Sequence, residues 1–197
     1  LDMACATLGP AANFNVFVLG NHTQSNTDSE GRVAVGGNAI YSNYSIGQEL
    51  TLSITRADLI VNGSMDITGG VNFNGNSIIR STSNIIRYTM TNNNGVPNQP
   101  LIESYIDFEQ AKVYLRCLSQ GLKNQTPNGV VNPQSWGGLF LQGTDPDLNI
   151  FTFDGTNING TGLTLQNVNT FNIQVPEGST VLINVLGEDL GFQNAGM

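Results

Sequence analysis

Along this chain short apolar runs alternate with turn residues about every eight to ten positions, a spacing that predicts many brief strands. Within residues 13–47, Phe14, Val16 and Val18 lie on one side of a first strand, and the polar stretch 21–29 reads as a turn. Glu30, Gly31 and Arg32 then lead into Val33, Ala34 and Val35, which stop at Gly36-Gly37-Asn38. Leu50, Leu52 and Ile54 alternate with Thr51 and Ser53, the period of a half-buried strand. Leu59-Ile60-Val61 precedes the turn dipeptide Asn62-Gly63, and Met65-Asp66-Ile67, Gly69-Gly70, Val71-Asn72-Phe73, Asn74-Gly75-Asn76 and Ser77-Ile78-Ile79 repeat the grammar more tightly. Strands this short and this often punctuated favour a solenoid or a sandwich over an α/β fold.

Residues 92–100 read as a loop, and 101–123 as one helix. Ile102, Ile106, Ala111, Val113, Leu115, Leu118 and Leu122, with Tyr105, Phe108 and Tyr114, recur at steps of three and four and predict a core-facing stripe. Gly121, Lys123 and Pro127 supply stop signals. Strands are expected again at 139–141, 148–153, 163–165, 171–175 and 180–185. No strict repeat links the segments, so the coils are degenerate: each needs inward aliphatics, while its corners take Gly, Asn, Asp or Ser. The expected fold is mainly β, an irregular β-helix or solenoid with one long helix packed along its side. It is read as a single domain over 1–197, with strands in 13–90, the helix at 101–123 and strands in 130–190.

Charged residues make up only 11% of the chain and Gly numbers 23, so amides and hydroxyls carry the polarity. A formal net charge of -8 repels nucleic acid and anionic headgroups, which excludes nucleic-acid binding. No apolar run is long enough to span a membrane, and the opening residues read as those of a mature or trimmed chain. Cys5 and Cys117 could form a disulfide in an oxidising compartment, or stand as two buried thiols. A Cys to Gln thioester through Gln142 or Gln134 is a third option, without the flanking pattern it requires.

LGPAANFNVFVLG, SEGRVAVGGN and SNYSIG, followed by LSQGL, GTDPDLNIFTFDG and PEGSTVLINVLGEDL, resemble in content and order the choice-of-anchor A family of bacterial surface and secreted domains. The likeness covers nearly the whole chain and implies an adhesive role with undefined ligands. The LG-x-AANF opening, with its order of strands, helix and strands, is also similar to ice-binding β-solenoid domains, a likeness of fold more than activity.

Nothing in the sequence assembles a catalytic set. His22, the sole histidine, is expected in a polar, solvated loop, and no Gly-x-Ser-x-Gly elbow or Cys-His arrangement is present. One His and two distant Cys make no zinc site. The acid pairs Asp28 with Glu30, Asp145 with Asp147 and Glu188 with Asp189 lack an aromatic sugar platform. Ca²⁺ is the candidate cofactor, with Asp28, Glu30, Asp145 and Asp147 as candidate ligands, although such residues more often bond their own turns. Glu30 and Arg32 read as a structural pair or backbone anchor. Trp136 is the candidate ligand-binding residue.

The expectation is a non-enzymatic extracellular adhesion or surface-interaction domain, secreted or on the cell envelope. Its partners would be glycans, matrix proteins or copies of itself. The alternatives are an ice-binding β-solenoid, for which no sustained Thr-x-Thr array recurs, and a subunit of an extracellular filament or sheath.

Overall fold

A computed structural model describes residues 5–90, 99–100 and 106–192. The protein is mainly β with one helix, and its larger sheet is a curled sheet of parallel strands. The chain divides into two compact units, Leu1–Leu118 and Ser119–Met197.

The first unit contains β1 (Val16–Val18), β2 (His22–Ser29), β3 (Val33–Val35), β4 (Ala39–Ile46), β5 (Ala57–Asn72), β6 (Asn76–Met90) and β7 (Gln99–Pro100). Helix α1 (Phe108–Lys123) begins in this unit. All these strands pair in parallel. β1 lies on β3 and β2 on β4, while β3 and β4 share the long β5 and β6 lies on its other edge. Val16 faces Val33, which faces Leu59, which faces Ser77. In the same way His22 faces Ala39, Ala39 faces Met65, and Gln24, Tyr41, Ile67 and Ile85 form one row. Successive passes of the chain are thus stacked rung on rung.

The interior of these rungs is filled by Val33, Val35, Tyr41, Tyr44, Ile46, Leu59, Val61, Met65, Ile67, Ile79, Tyr88 and Met90, all buried. β3 and the first part of β5 are covered on the opposite face too, where Ala57, Ile60 and Ile78 pack with Phe14 and Ile106. Burial on both faces explains why Val33-Ala34-Val35 and Leu59-Ile60-Val61 read as unbroken apolar runs.

Corners are held by stacked polar residues. Asn26, Asn43, Gly69 and Arg87 occupy equivalent bends, all with positive φ of 50 to 81°. Asn43 Nδ2 donates to Asn26 Oδ1 at 3.1 Å. At the other corner Asn21 Oδ1 accepts from Asn38 N–H at 2.8 Å, and Asn38 Oδ1 accepts from Ser64 N–H at 2.9 Å. Any Cβ at Gly63 would lie 2.5 Å from the Gly37 carbonyl oxygen, so the rung below fixes glycine there. Asparagine enrichment follows from the corners, as the pattern implied.

The second unit contains β8 (Val130–Pro133), β9 (Gly138–Gln142), β10 (Leu148–Asp154), β11 (Thr170–Gln174) and β12 (Thr180–Leu186). β9 pairs with β11 and β10 with β12, both in parallel, and β8 closes antiparallel on β9. Gly138 faces Thr170 and Leu148 faces Thr180, so both walls repeat after the same interval. Leu139, Leu141, Phe151, Phe153, Ile158, Leu165 and Val168 form the buried core between them. Asn149, buried at one corner, donates to the Asp145 carbonyl at 2.9 Å and to Ser179 Oγ at 3.0 Å.

Several expectations are corrected. The stretch 21–29 is mostly strand β2, paired along its length with β4. Residues 50–54 form no strand. Leu52 and Ile54 are exposed, and Ser53 Oγ instead accepts from the Thr55 and Arg56 N–H groups in a turn. Asn62-Gly63 and Gly69-Gly70 are bends inside the continuous β5. Residues 163–165 lead into a 3-10 turn, Leu165–Asn167, although Leu163 and Leu165 do join the core. Helix α1 starts at Phe108, later than expected, because Asp107 caps it: its Oδ1 accepts the N–H of Glu109 at 3.1 Å and of Gln110 at 3.0 Å. Phe108, Ala111 and Leu118 are its buried residues, whereas Val113 is exposed. The part of the helix expected over 101–105 and the loop over 92–98 lie outside the described residues, and 99–100 form β7.

Cys5 and Cys117 form a disulfide with Cα atoms 6.1 Å apart, inside the first unit.

Candidate functional site

Trp136 stands in the tight turn joining β8 to β9. That turn is closed by Gln134 N–H donating to the Gly138 carbonyl at 2.7 Å and Gly137 N–H donating to the Gln134 carbonyl at 3.0 Å. Gly137 adopts φ of 97°, which favours glycine. The indole lies across Gly138, where an added Cβ would fall 2.4 Å from the ring, and meets Phe140 edge to face at 5.9 Å. Asn169 Nδ2 donates to the Trp136 carbonyl at 2.8 Å, pinning the turn from the neighbouring pass. A ring held this way remains 54% exposed, so its position comes from the sheet and not from burial.

Around it the outward positions of β8, β9 and β11 line up by register. Asn132, Phe140 and Asn172 form one row, and Val130, Gln142 and Gln174 the next. Gln142 Nε2 donates to Gln174 Oε1 at 2.9 Å, which fixes one amide ladder. The result is a face with an aromatic plate, an exposed Val130 and the amide side chains of Asn132, Gln142 and Gln174, while Asn172 turns its Oδ1 into the protein.

The other predicted residues are placed elsewhere. Asp145 Oδ1 accepts the N–H groups of Asp147 at 2.9 Å and Leu148 at 3.0 Å, and these bonds hold its carboxyl below the usual carboxylate range. It is therefore engaged by its own turn. Asp28 and Glu30 are exposed on either side of the buried Ser29. Among the described residues no three His, Cys, Asp or Glu side chains gather as a metal would need. Arg32 is a backbone anchor, as one of the two readings had it, but not a partner of Glu30: its Nε donates to the Ala57 carbonyl at 2.9 Å.

His22 departs from the solvated loop expected. It sits on β2, half-buried, with Nδ1 at 2.9 Å from the Tyr41 hydroxyl and Nε2 at 3.3 Å from Gln24 Nε2. Burial lowers its pKa. Asp58 was not singled out by the sequence, yet its carboxylate is wholly buried and held by Arg56 Nε at 2.6 Å and Nη2 at 3.0 Å. An acid embedded in the apolar run 57–61 was the available signal, because such a group needs a partner.

The outward positions of β2, β4, β5 and β6 also form rows, which bears on ice. Thr23, Ile40, Asp66 and Asn84 make one, and Ser25, Ser42, Thr68 and Ile86 the next. The first row repeats no side chain, and in the second the hydroxyls of Ser25, Ser42 and Thr68 give way to Ile86.

Parallel passes stacked in register, with asparagine corners and an outward aromatic and amide face, define a β-rich domain of stacked strands. The chain belongs to the family described as "Putative Ice-binding-like adhesive domain", whose model matches residues 7–197. No curated protein and no solved structure matches the chain.

Proposed function

We propose that this protein is a non-enzymatic adhesion domain that works outside the cell, on a secreted or cell-envelope protein, and binds glycans through the Trp136 face. The observation that carries the reading is an exposed indole clamped over Gly138 on the face that carries the amides of Asn132, Gln142 and Gln174. The apolar C–H face of a sugar ring packs on an indole, and its hydroxyls exchange hydrogen bonds with amides. Membership in an adhesive family supports the role, and the Cys5–Cys117 disulfide supports an oxidising compartment. We read the stacked passes of both units as coils of an irregular solenoid of the choice-of-anchor A kind, with the variable outer residues free for recognition.

The test is an array of neutral glycans and matrix proteins probed with the whole chain and with Trp136→Ala. Binding to neutral glycans that falls at least tenfold in the variant, about the weight of a central aromatic contact, supports the reading. Glycan binding unchanged by the substitution, or binding to matrix proteins alone, overturns it.

A further inference from the structure

A second site lies in the first unit, built on residues the Trp136 face does not use. A groove of about 660 Å³ is lined by Phe14, Arg32, Thr55, Arg56, Gln110 and Tyr114 among others. That volume suits a small ligand. Two of the chain's seven cationic residues stand here, in a protein of net charge -8. Asp58, fully buried, is matched by Arg56 through two hydrogen bonds, and its Oδ1 lies 3.9 Å from Arg32 Nε. Arg56 takes both oxygens of Asp58, and Arg32 approaches only one of them at the longer distance.

Arg32 is also held ready. Its Cζ lies 4.3 Å from the centre of the Phe14 ring, and Nε is tied to the Ala57 carbonyl at 2.9 Å. Its two terminal nitrogens have no hydrogen-bond partner among the described residues, although the side chain is only 21% exposed. The open edge of a fixed guanidinium fork matches a carboxylate in two parallel hydrogen bonds. Asp107 also lines the groove and keeps its negative charge, with its Oδ1 accepting the first N–H groups of α1.

We infer that this groove binds a single carboxylate carried on a sugar ring, as in a terminal hexuronic acid. Arg32 takes the carboxylate, while Thr55, Gln110 and the Tyr114 hydroxyl meet ring hydroxyls. The net negative charge of the chain repels a polyanion and favours one isolated acid at the end of a neutral glycan.

The experiment is calorimetric titration of the whole chain with a disaccharide ending in glucuronic acid, with its methyl ester, and with a tripeptide bearing a free carboxyl terminus. The acid is expected to bind at least tenfold more tightly than the ester. Gln110→Glu, which places a negative charge on the exposed rim, should weaken the acid at least tenfold. An added acid in the first turn of a helix favours that helix, so lost binding would not reflect lost folding. Trp136→Ala should leave this affinity unchanged, which separates the site from the face proposed above. Equal affinity for acid and ester, no heat at millimolar acid, indifference to Gln110→Glu, a loss in Trp136→Ala, or tighter binding of the tripeptide would each overturn the inference.

Discussion

The disulfide offers a quantitative test of how the first unit is stabilised. Cys5 and Cys117 are separated by 112 residues, so their bond closes most of Leu1–Leu118 into one loop that ends before Ser119. In the chain-entropy account, closing a loop of about 100 residues stabilises the folded state by about 4.7 kcal/mol through its effect on the unfolded chain. With a guanidinium dependence of about 4 kcal/mol per molar, the tyrosine-reported midpoint should fall by about 1 M on going to Cys5→Ser with Cys117→Ser.

The chain carries its own probes for this measurement. All five tyrosines precede residue 119, and the sole tryptophan, Trp136, follows it. Near-ultraviolet dichroism of the tyrosines therefore follows the first unit, and tryptophan fluorescence the second. The tyrosine transition should move by about 1 M and the tryptophan transition by less. A tyrosine midpoint that stays put, or a tryptophan midpoint that shifts further than the tyrosine one, would refute the loop-closure reasoning.

Other outcomes follow from the packing. Gly63→Ala drives a methyl to 2.5 Å from the Gly37 carbonyl oxygen and should cost about 1–3 kcal/mol in urea unfolding followed by tyrosine dichroism. Asn43→Ala, at φ of 51°, should destabilise by about 1–2 kcal/mol, and Asn43→Gly by less, since glycine accepts the left-handed bend. Phe151→Ala removes a wholly buried ring from the second core and should cost about 3–5 kcal/mol, read from tryptophan fluorescence. His22 binds its proton less readily folded than unfolded. Its contribution is therefore complete above the unfolded value near 6.5 and is lost as pH falls through the lower folded value. Urea midpoints at pH 7.5 and 5.5 should show that loss in the native chain and a smaller one in His22→Gln. Recrystallisation inhibition at micromolar protein should be absent, and strong inhibition would restore the ice reading.

What the sequence revealed of the fold depended on where each strand sits in its stack. Val33-Ala34-Val35 and Leu59-Ile60-Val61 were plain because both faces are covered, leaving no polar position to break the run. β2 was missed because the inward positions are His22 and Gln24, at the edge of the sheet, where the half-buried wall is made of polar groups. Leu50, Leu52 and Ile54 gave the opposite error: the next pass meets this stretch at the Ser53 N–H, which donates to the Asn74 carbonyl at 2.8 Å, but the chain turns at Ser53 and builds no strand. The repeat escaped notice for a related reason. Val16 to Val33 is a short step and Val33 to Leu59 a longer one, because the turn around Ser53 is inserted between β4 and β5. Register survives such an insertion, while periodicity does not.

The sites divide along the same line. Trp136 could be picked out as a lone tryptophan in a turn, but its support by Gly138 and Phe140 depends on the ladder between β9 and β11. Asp58 and Arg32 lie far apart in sequence and meet only because β3 is laid on β5. The same ladder bears on ice. A crystal plane demands one side chain repeated at each rung, since a lattice has no tolerance for a misfit. Here Ile40 follows Thr23, and Asp66 follows Ile40, so a charge and a branched aliphatic interrupt the row at successive steps. Equal spacing of the backbone persists beneath unequal side chains, and that combination suits a ligand met at one or two points better than a surface that must be matched at every rung.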